Sequence, residues 1–261
     1  MLEFDADAAD RLVAMYTTPD IAAQRATVLE LLDLRAGERV LDVGVGPALL
    51  AAQMAEAVGP TGAVHGIDVS EQMLAAARNR VAQLPTGHAP VTLLASSADA
   101  IPYLDKSFDV VVSTQVFEYV PDIPAALAEV RRVLRPGGRL LLLDTDWDSI
   151  VWHSTDRDRM ARVLATWERH LADPYLPRRL PAELRTAGFH VAPPIVVPLL
   201  NVGFEERTFS AGLIGLVGSY VEGRDGWSAD AVGEWRDDLR SLAAAYFFSL
   251  NRYVFCARKP D

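Results

Sequence analysis

Cysteine and lysine are scarce in this 261-residue chain, and each scarcity narrows the classes of site it can form. Cys256 is the single cysteine, which excludes an intrachain disulfide and any metal site built from clustered cysteines. Only Lys106 and Lys259 are lysines among 25 basic residues, and 35 acidic residues outnumber the basic ones. The net charge of −10 gives the chain no electrostatic reason to hold a nucleic-acid backbone, which is bound through clustered lysine and arginine.

A basic-then-apolar leader and a long apolar run are also missing. The chain opens on the acidic stretch Leu2-Glu3-Phe4-Asp5, and no uninterrupted apolar run reaches the length that spans a bilayer. We therefore expect a cytoplasmic protein without membrane contact. Half of the residues are apolar, which is enough for a sizeable core, whereas the oligomeric state stays open.

The middle of the chain alternates short β-rich runs with helical patterns. Alternation of this kind is typical of βαβ units, and continuous apolar strands are typical of a parallel sheet covered on both faces. The sequence therefore predicts an α/β fold with a doubly wound, mostly parallel sheet of seven strands and helical cap segments. Five of the predicted strands are Arg39–Val43, Ala63–Asp68, Val91–Ala95, Phe108–Ser113 and Arg139–Asp144.

The remaining segments predict caps on a single domain that covers residues 1–261. Residues 1–36 are expected to form an N-terminal helical cap, and residues 37–144 the βα core. Residues 145–177 and 203–250 are expected to be cap insertions, while 178–202 and 251–261 supply the last helix and strands. The predicted sixth strand lies near His190–Pro198 and the last one at Asn251–Arg258. We place the caps over the carboxyl edge of the sheet, where open α/β sheets bind ligands.

A glycine-containing turn joins the first strand to the next helix, and it predicts a ligand site. Gly44 and Gly46 would let the backbone approach a ligand closely, but the dinucleotide pattern needs a third glycine where Leu49 stands. The carboxylate of Asp42 would repel a pyrophosphate and suits a positively charged ligand instead. Asp68 ends the second strand, where an acid accepts ribose hydroxyls. The alternative is a tight turn in which Asp68 caps a helix and no ligand binds.

These residues resemble the class I S-adenosylmethionine-dependent methyltransferases of the small-molecule type. The first motif of that family, an acid followed by G-x-G-x-G, is matched by Asp42, Gly44 and Gly46, and Ala48 stands at its third glycine. The resemblance implies that Asp68 holds the ribose. It assigns further cofactor contacts to Val69, Met73, Ala98, Asp99 and Gln115, with Asp99 receiving the adenine amino group.

The resemblance extends over residues 37–144 and implies a Rossmann-like fold that binds S-adenosylmethionine. Ser107-Phe108-Asp109-Val110-Val111 is similar to the family's entry into the fourth strand, and Leu134-Arg135-Pro136-Gly137-Gly138 to its turn before the fifth. The implied reaction is methyl transfer to a small-molecule acceptor. We expect a hydroxyl of a metabolite or natural product, with nitrogen and carbon acceptors left open.

Two patterns narrow the acceptor. Enzymes that methylate nucleobase amino groups carry an Asn/Asp-Pro-Pro-aromatic run after the fourth strand, where this chain has Thr114-Gln115-Val116-Phe117. Nucleic acid is therefore disfavoured. Asp144, Asp146 and Asp148 supply only one of the two acid groups that a magnesium-assisted enzyme needs. We expect no metal, and we interpret the three acids as a loop that faces solvent or substrate.

The predicted caps contain one candidate for a general base and one for a contact with the carboxylate of the cofactor. His153 follows the fifth strand, and a neutral imidazole there would suit a general base. Arg25, early in the second helix, would reach the carboxylate of the cofactor from the cap side. Two other functions stay open: an enzyme that binds the cofactor but catalyses a non-methylating reaction, and a non-catalytic binding module, since a fold does not determine a function.

Overall fold

A computed structural model describes residues 6–261, and the predicted alternation of strands and helices is present in it. Residues 1–5, where we expect no leader, lie outside the described residues. The helices are α1 Ala6–Tyr16, α2 Pro19–Leu32, α3 Leu49–Val58, α4 Glu71–Val81, α5 Ile123–Val133, α6 Arg157–Trp167, α7 Leu180–Thr186, α8 Phe209–Val221 and α9 Ala229–Ser241. The strands are β1 Arg39–Val43, β2 Ala63–Asp68, β3 Val91–Ala95, β4 Phe108–Thr114, β5 Leu134–Thr145, β6 Val151–Trp152, β7 His190–Val191, β8 Ile195–Val202 and β9 Phe247–Arg258.

The strands form one sheet in the order β3-β2-β1-β4-β5-β9-β6, with β7 and β8 also paired to β9. β1 runs parallel to both β2 and β4, so the strand order reverses there and a crevice opens at the carboxyl ends of β1 and β4. β3 and β5 continue the parallel arrangement outward, and β9 is antiparallel to β5. The doubly wound sheet is therefore confirmed, and its switch point lies beside the glycine turn.

The sheet has nine strands in the described residues, where the sequence predicts seven. The predicted sixth strand is divided into β7 and β8 because Pro193 and Pro194 lie between them, and proline cannot donate to a strand ladder. β6 is a two-residue strand that pairs with the start of β9. β9 begins at Phe247, before the predicted start at Asn251, and these additional residues pair with β6 and β8.

The predicted cap segments share one apolar cluster. It joins Met15 of α1 and Trp147 to Trp167 of α6, Phe209 of α8 and Trp235 of α9, all of them buried. Separate clusters lie between the sheet and its flanking helices. Packing against this common cluster holds α1 and α2 next to the glycine turn, where side chains of both helices face the crevice. None of the helices in residues 6–261 combines the length and the apolar character that a membrane crossing requires.

Candidate functional site

The glycine turn between β1 and α3 has the backbone shape that its sequence predicts. Gly44 has a φ of 75°, and a Cβ on it would lie 2.1 Å from Cγ2 of Val116, so only glycine fits. Gly46 has a φ of 51°, and a Cβ on it would meet nothing within 4 Å. Ala48 has a φ of 58°, which explains why glycine suits the third position of the motif. The space beside Gly46 is therefore open to a ligand.

Asp68 holds this turn against the end of β2. Its carboxylate accepts hydrogen bonds from the backbone N–H groups of Gly46 and Ser70, each at 2.9 Å. Burial raises the pKa of Asp68, while these N–H donors oppose the rise. Ser70 in turn caps α4, because its Oγ accepts from the N–H of Met73. Asp68 thus ties the loop to the start of α4, whereas the cap of that helix is Ser70, and both the ribose contact of Asp68 and the alternative without a ligand stay predictions.

Asp42 places a second carboxyl group beside the turn. Its side chain is 2% exposed, and burial, together with the nearby charge of Asp68, raises its pKa to about 7. A cationic ligand group would stabilise the ionised form and pull this pKa down.

A cavity of about 90 Å³ lies over the turn and is closed by the two N-terminal helices. Ligand pockets for whole small molecules measure about 300–1,000 Å³, so this cavity has room for one end of a ligand. The rest of a ligand would extend along the open edge, where the side chain of Val69 is 63% exposed. The polar and charged residues of its wall are Tyr16, Gln24, Arg25, Asp42, Thr114, Gln115 and Arg252.

Gln115 presents an unused donor in this wall. Its backbone has a φ of 58°, and its Oε1 accepts from Thr145 Oγ1 at 2.6 Å. Its Nε2 is buried and has no hydrogen-bond partner in the described residues. A buried donor without a partner costs about 1–3 kcal/mol, and a bound acceptor would recover that free energy.

Arg252 of β9 is a buried cation in the same wall. The side chain is 2% exposed, stacks on the ring of Phe209 at 4.6 Å, and donates from Nη1 to Gln24 Oε1 at 2.7 Å. Its Nε has no partner, and no carboxylate of the described side chains lies within 4.0 Å of the guanidinium. Burial lowers its pKa, and the charges of Tyr16 and Glu118 oppose that change. A buried cation of this kind favours an anionic ligand atom.

Two buried acids lie beneath this wall. Glu118 accepts from the N–H of Thr145 and from Trp147 Nε1, and burial raises its pKa to about 7 against the opposing effect of Arg252. Asp144 accepts from the N–H groups of Val116 and Glu118, and burial together with the charge of Glu118 raises its pKa well above the ordinary value. Neither acid is among the residues that line the cavity.

Comparison with known proteins identifies the family of this chain. The family profile described as "Methyltransferase domain" matches residues 41–142, which include the glycine turn and Asp68. A Streptomyces fradiae protein, described as an uncharacterized 37.1 kDa protein in transposon TN4556, is 33% identical over 97% of this chain and 71% of its own length. The chain belongs to the class I S-adenosylmethionine-dependent methyltransferases.

Two further relatives of this methyltransferase differ in the activity that their names state. A demethylmenaquinone methyltransferase of Bacillus cytotoxicus is 36% identical over 129 residues, which are 49% of this chain and 54% of that enzyme. The chain thus matches about half the length of that curated relative. The solved structure of the [4+2]-cyclase SpnF superposes with a TM-score of 0.60 at 25% identity, over 92% of this chain and 81% of the cyclase.

The wall of the cavity fits S-adenosylmethionine, the cofactor of the family. The open side of Gly46 would admit the amino-acid end of the cofactor. Asp42 would bind the ammonium group of that end, and Gln115 Nε2 would donate a hydrogen bond to an acceptor atom of the same end. Asp68 lies where the ribose hydroxyls would follow, and the exposed side chain of Val69 would cover the adenine. When bound, the cofactor supplies an electrophilic methyl group on a sulfonium.

Of the other predicted cofactor contacts, Arg25 lines the cavity, whereas Met73, Ala98 and Asp99 do not. Arg25 lines the cavity, but it donates to the carbonyl of Tyr16 and to Gln53 Oε1, so its guanidinium is partly occupied. Asp99 is exposed and accepts from Ser97 Oγ. Met73 and Ala98 are buried, at 3% and 8% exposure, in two different apolar clusters. Their contacts with the cofactor stay predictions.

The structure does not bring His153 to the cavity. Its side chain is exposed, its backbone N–H donates to the carbonyl of Phe247, and it is absent from the cavity wall. The short strand β6 pairs with the start of β9, and this pairing carries the residue away from the crevice. Its role as general base stays a prediction that this geometry does not favour.

Of the three acids expected to face solvent or substrate, Asp144 and Asp146 are not exposed to solvent. Asp144 is fully buried beside Glu118, and Asp146 is buried in an ion pair with Arg178, at 2.9 Å. Asp148 alone is exposed, and it also pairs with Arg178. No group of three His, Cys, Asp or Glu side chains within the described part of the chain is arranged to hold a metal ion.

Neither Arg252 nor Glu118 is among the site residues that the sequence predicts. A signal for Arg252 was present, because Phe248, Leu250, Arg252 and Val254 alternate along β9 and all are buried, so an arginine stands on an inward face. Glu118 had no comparable signal, since it lies in a short 3₁₀ turn after β4 whose orientation follows from its hydrogen bonds to β5.

Proposed function

We propose that this methyltransferase transfers a methyl group from S-adenosylmethionine to a hydroxyl oxygen of a small-molecule acceptor. The observation that carries the proposal is Arg252, a buried guanidinium without a carboxylate partner among the described side chains, in the same wall as the glycine turn. An acceptor oxygen reacts best after losing its proton, and a cation beside it stabilises the resulting oxyanion.

Residues of this cavity wall can align the acceptor. Methyl transfer is an in-line displacement, so alignment of the acceptor supplies much of the rate. Arg252, held by Gln24, would orient the acceptor oxygen, and Tyr16 would form part of the wall around it. The new O–C bond forms as the C–S bond breaks, and the hydroxyl proton passes to water.

The named relative supports a small acceptor of this kind. The Bacillus cytotoxicus enzyme is named for demethylmenaquinone, a small molecule and not a nucleic acid. The net charge of −10 agrees with that class, because an acidic chain repels a phosphate backbone. A cytoplasmic location and an absence of membrane contact remain predictions. The acceptor itself is part of the proposal, since the match spans 54% of that relative.

The experiment follows an isotope-labelled methyl group from the cofactor into matched acceptors. We expect transfer to 1,4-dihydroxynaphthalene and none to 1,4-diaminonaphthalene, which has the same ring and amino groups instead. Arg252→Met should abolish this transfer, and titration of the variant with S-adenosylhomocysteine separates a loss of acceptor alignment from a loss of cofactor binding, since Arg252 lines the same cavity. Preferential methylation of the diamine would contradict the oxygen acceptor, and absence of transfer to any pool of bacterial metabolites would contradict methyl transfer itself.

A second candidate is a non-methylating reaction that keeps the cofactor bound. The similarity to the [4+2]-cyclase SpnF, at 25% identity over 92% of this chain, is the observation that favours it. An isomerised product of unchanged mass, formed while the cofactor keeps its methyl group, would support this candidate. A product that carries the labelled methyl group would rule it out.

A further inference from the structure

A second and larger cavity lies at the opposite edge of the sheet. It measures about 560 Å³, which is within the range of about 300–1,000 Å³ for small-molecule pockets. Its wall combines the turn before β4, the end of α5, α7 and the residue that follows β9. Because β9 is antiparallel to β5, its last residues meet the N-terminal ends of the parallel strands, away from the glycine turn. Nothing in the methyl-transfer proposal uses this cavity.

The wall of this cavity is positively charged, although the chain as a whole is strongly acidic. Four basic residues and two acidic ones carry its charge: Lys106, Arg131, Arg132, Lys259, Asp105 and Glu183. Both lysines of the chain are among them.

The two acids of the wall are already paired with arginines. Asp105 binds Arg132 at 2.9 Å, and Glu183 binds Arg179 at 2.6 Å. Among the side chains that the structure describes, Lys106, Arg131 and Lys259 have no carboxylate oxygen within 4.0 Å. Three cations are thus left to face the cavity.

Lys259 is the cation of this wall that the fold holds in place. Its Nζ donates to the carbonyls of Arg131 and Leu134, each at 2.7 Å, and so caps the end of α5. Arg131 packs over Gly188, where a Cβ would lie 3.1 Å from its Nε. The backbone of Lys106 is tied to α5, because its N–H donates to the carbonyl of Arg132 at 3.0 Å. The side chains of Arg131 and Lys106 are exposed beside the fixed ammonium group of Lys259.

We propose that this cavity binds a small phosphate-bearing anion. A phosphate group carries about −1.5 to −2 charges at neutral pH and offers three acceptor oxygens, so one group can meet all three cations and carries more charge than a single carboxylate. The hydroxyl of Thr186 lies in the same wall and can donate as well, and Pro124, Ala128 and Ala187 give an apolar side for the rest of the ligand.

The charge state of Lys259 agrees with this assignment. Burial lowers the pKa of Lys259, and the neighbouring charges of Arg131 and Lys106 lower it further, against an opposing effect of Asp105. The three cations therefore repel one another in the free protein. A bound polyanion would replace that repulsion by attraction.

The test is calorimetric titration of the full chain with pyrophosphate at constant ionic strength. We expect saturable binding of one pyrophosphate per chain, and an affinity at least about tenfold lower in Arg131→Gln and in Lys106→Gln, because each loses one charge-assisted contact. Arg240→Gln is the matched control, since Arg240 is an exposed arginine on α9 and its replacement changes the net charge equally. Lys259 is left unchanged because it also caps α5.

Three outcomes would overturn the proposal. They are an absence of saturable binding, an equal affinity in Arg131→Gln and Arg240→Gln, and competition between pyrophosphate and saturating S-adenosylhomocysteine, which would put the anion in the cofactor cavity. Circular dichroism of each variant establishes that it is folded. Loss of methyl transfer in a separate assay would leave these outcomes unchanged, so the site and the proposed function can fail independently.

Discussion

Gln24 and Arg252 form a buried hydrogen bond of 2.7 Å, although 228 residues separate them along the chain. The bond joins the second helix to the last strand, and both side chains line the cavity beside the glycine turn. The N-terminal helices and the final strand therefore form one wall of that cavity, in which the guanidinium of Arg252 is held.

Gln24→Ala removes the one acceptor that the guanidinium of Arg252 has among the described side chains. A buried charged donor without its partner costs about 1–3 kcal/mol, so the free energy of unfolding should fall by that amount. Urea denaturation measures the change. Gln83→Ala is the control, because Gln83 is exposed and should shift stability by less than about 0.5 kcal/mol. Equal stability of the two variants would show that the Gln24–Arg252 bond contributes nothing.

Asp68→Ala should weaken both the cofactor complex and the fold. Cofactor affinity should fall several-fold to a hundredfold, from the loss of contacts worth about 1–3 kcal/mol with the ribose. Stability should fall as well, by about 1–2 kcal/mol, because the N–H groups of Gly46 and Ser70 lose their acceptor. Titration with S-adenosylhomocysteine and urea denaturation separate the two effects. Asp99→Ala is the comparison, since exposed Asp99 should change affinity and leave stability unaltered. A folded Asp68→Ala protein with unchanged affinity would remove the ribose assignment.

Gly46→Ala is expected to lower cofactor affinity by at least about tenfold, and Gly46→Val to abolish binding, because a Cβ would fill the open space beside the turn. Gly59→Ala supplies a closely matched control. Gly59 has a φ of 65° and Gly46 a φ of 51°, and a Cβ on either residue would meet no atom within 4 Å, but Gly59 ends α3 outside the cavity. Both alanine variants should lose stability from backbone strain, because both glycines have a positive φ. If they also bind the cofactor equally well, the ligand does not lie against Gly46.

Cofactor affinity should rise with pH and level off above about pH 7. The pKa of Asp42 is raised to about 7, mainly by burial, and the ammonium group of the ligand needs the ionised form. The stability of the free protein changes in the opposite direction. The unfolded chain releases the proton of Asp42 near the ordinary pKa of 3.8, whereas the folded chain keeps it up to about pH 7. The contribution of Asp42 to the free energy of unfolding therefore becomes less favourable between these two pH values. Titrations with S-adenosylhomocysteine between about pH 5.5 and 7.5 measure the rise. Asp42→Asn should flatten it, and a pH dependence that survives this substitution would assign the effect to another group.

His153→Ala tests the general base that the sequence predicts. A lost general base lowers turnover by about 10²–10⁴, which is the result that the sequence hypothesis predicts. Because His153 is exposed and outside the cavity wall, we expect turnover within a factor of about three of the wild type, and the large loss in Arg252→Met instead, since Arg252 lines the cavity. Turnover of the labelled-methyl reaction measures both variants. A large loss in His153→Ala would assign the role of base to His153.

Much of the core could be predicted because its determinants are neighbours in sequence. The strands that end at Val43 and Asp68, the turn at Gly44 and Gly46, and the N-cap at Ser70 each follow from a few adjacent residues. The family of the chain could be recognised from the same motifs, and the comparisons confirm it. The strand count was less accurate, since Pro193 and Pro194 divide one predicted strand.

The alternating core, the glycine turn and the acids that flank it follow from the sequence, because hydrophobic periodicity and turn chemistry act over a few residues. The meeting of distant side chains follows from the packing of the whole fold. That packing buried Asp144 beside Glu118, joined Gln24 to Arg252, and left His153 exposed. Such encounters depend on how the caps and β9 pack over the sheet, and local patterns do not encode that packing because many arrangements satisfy the same periodicity.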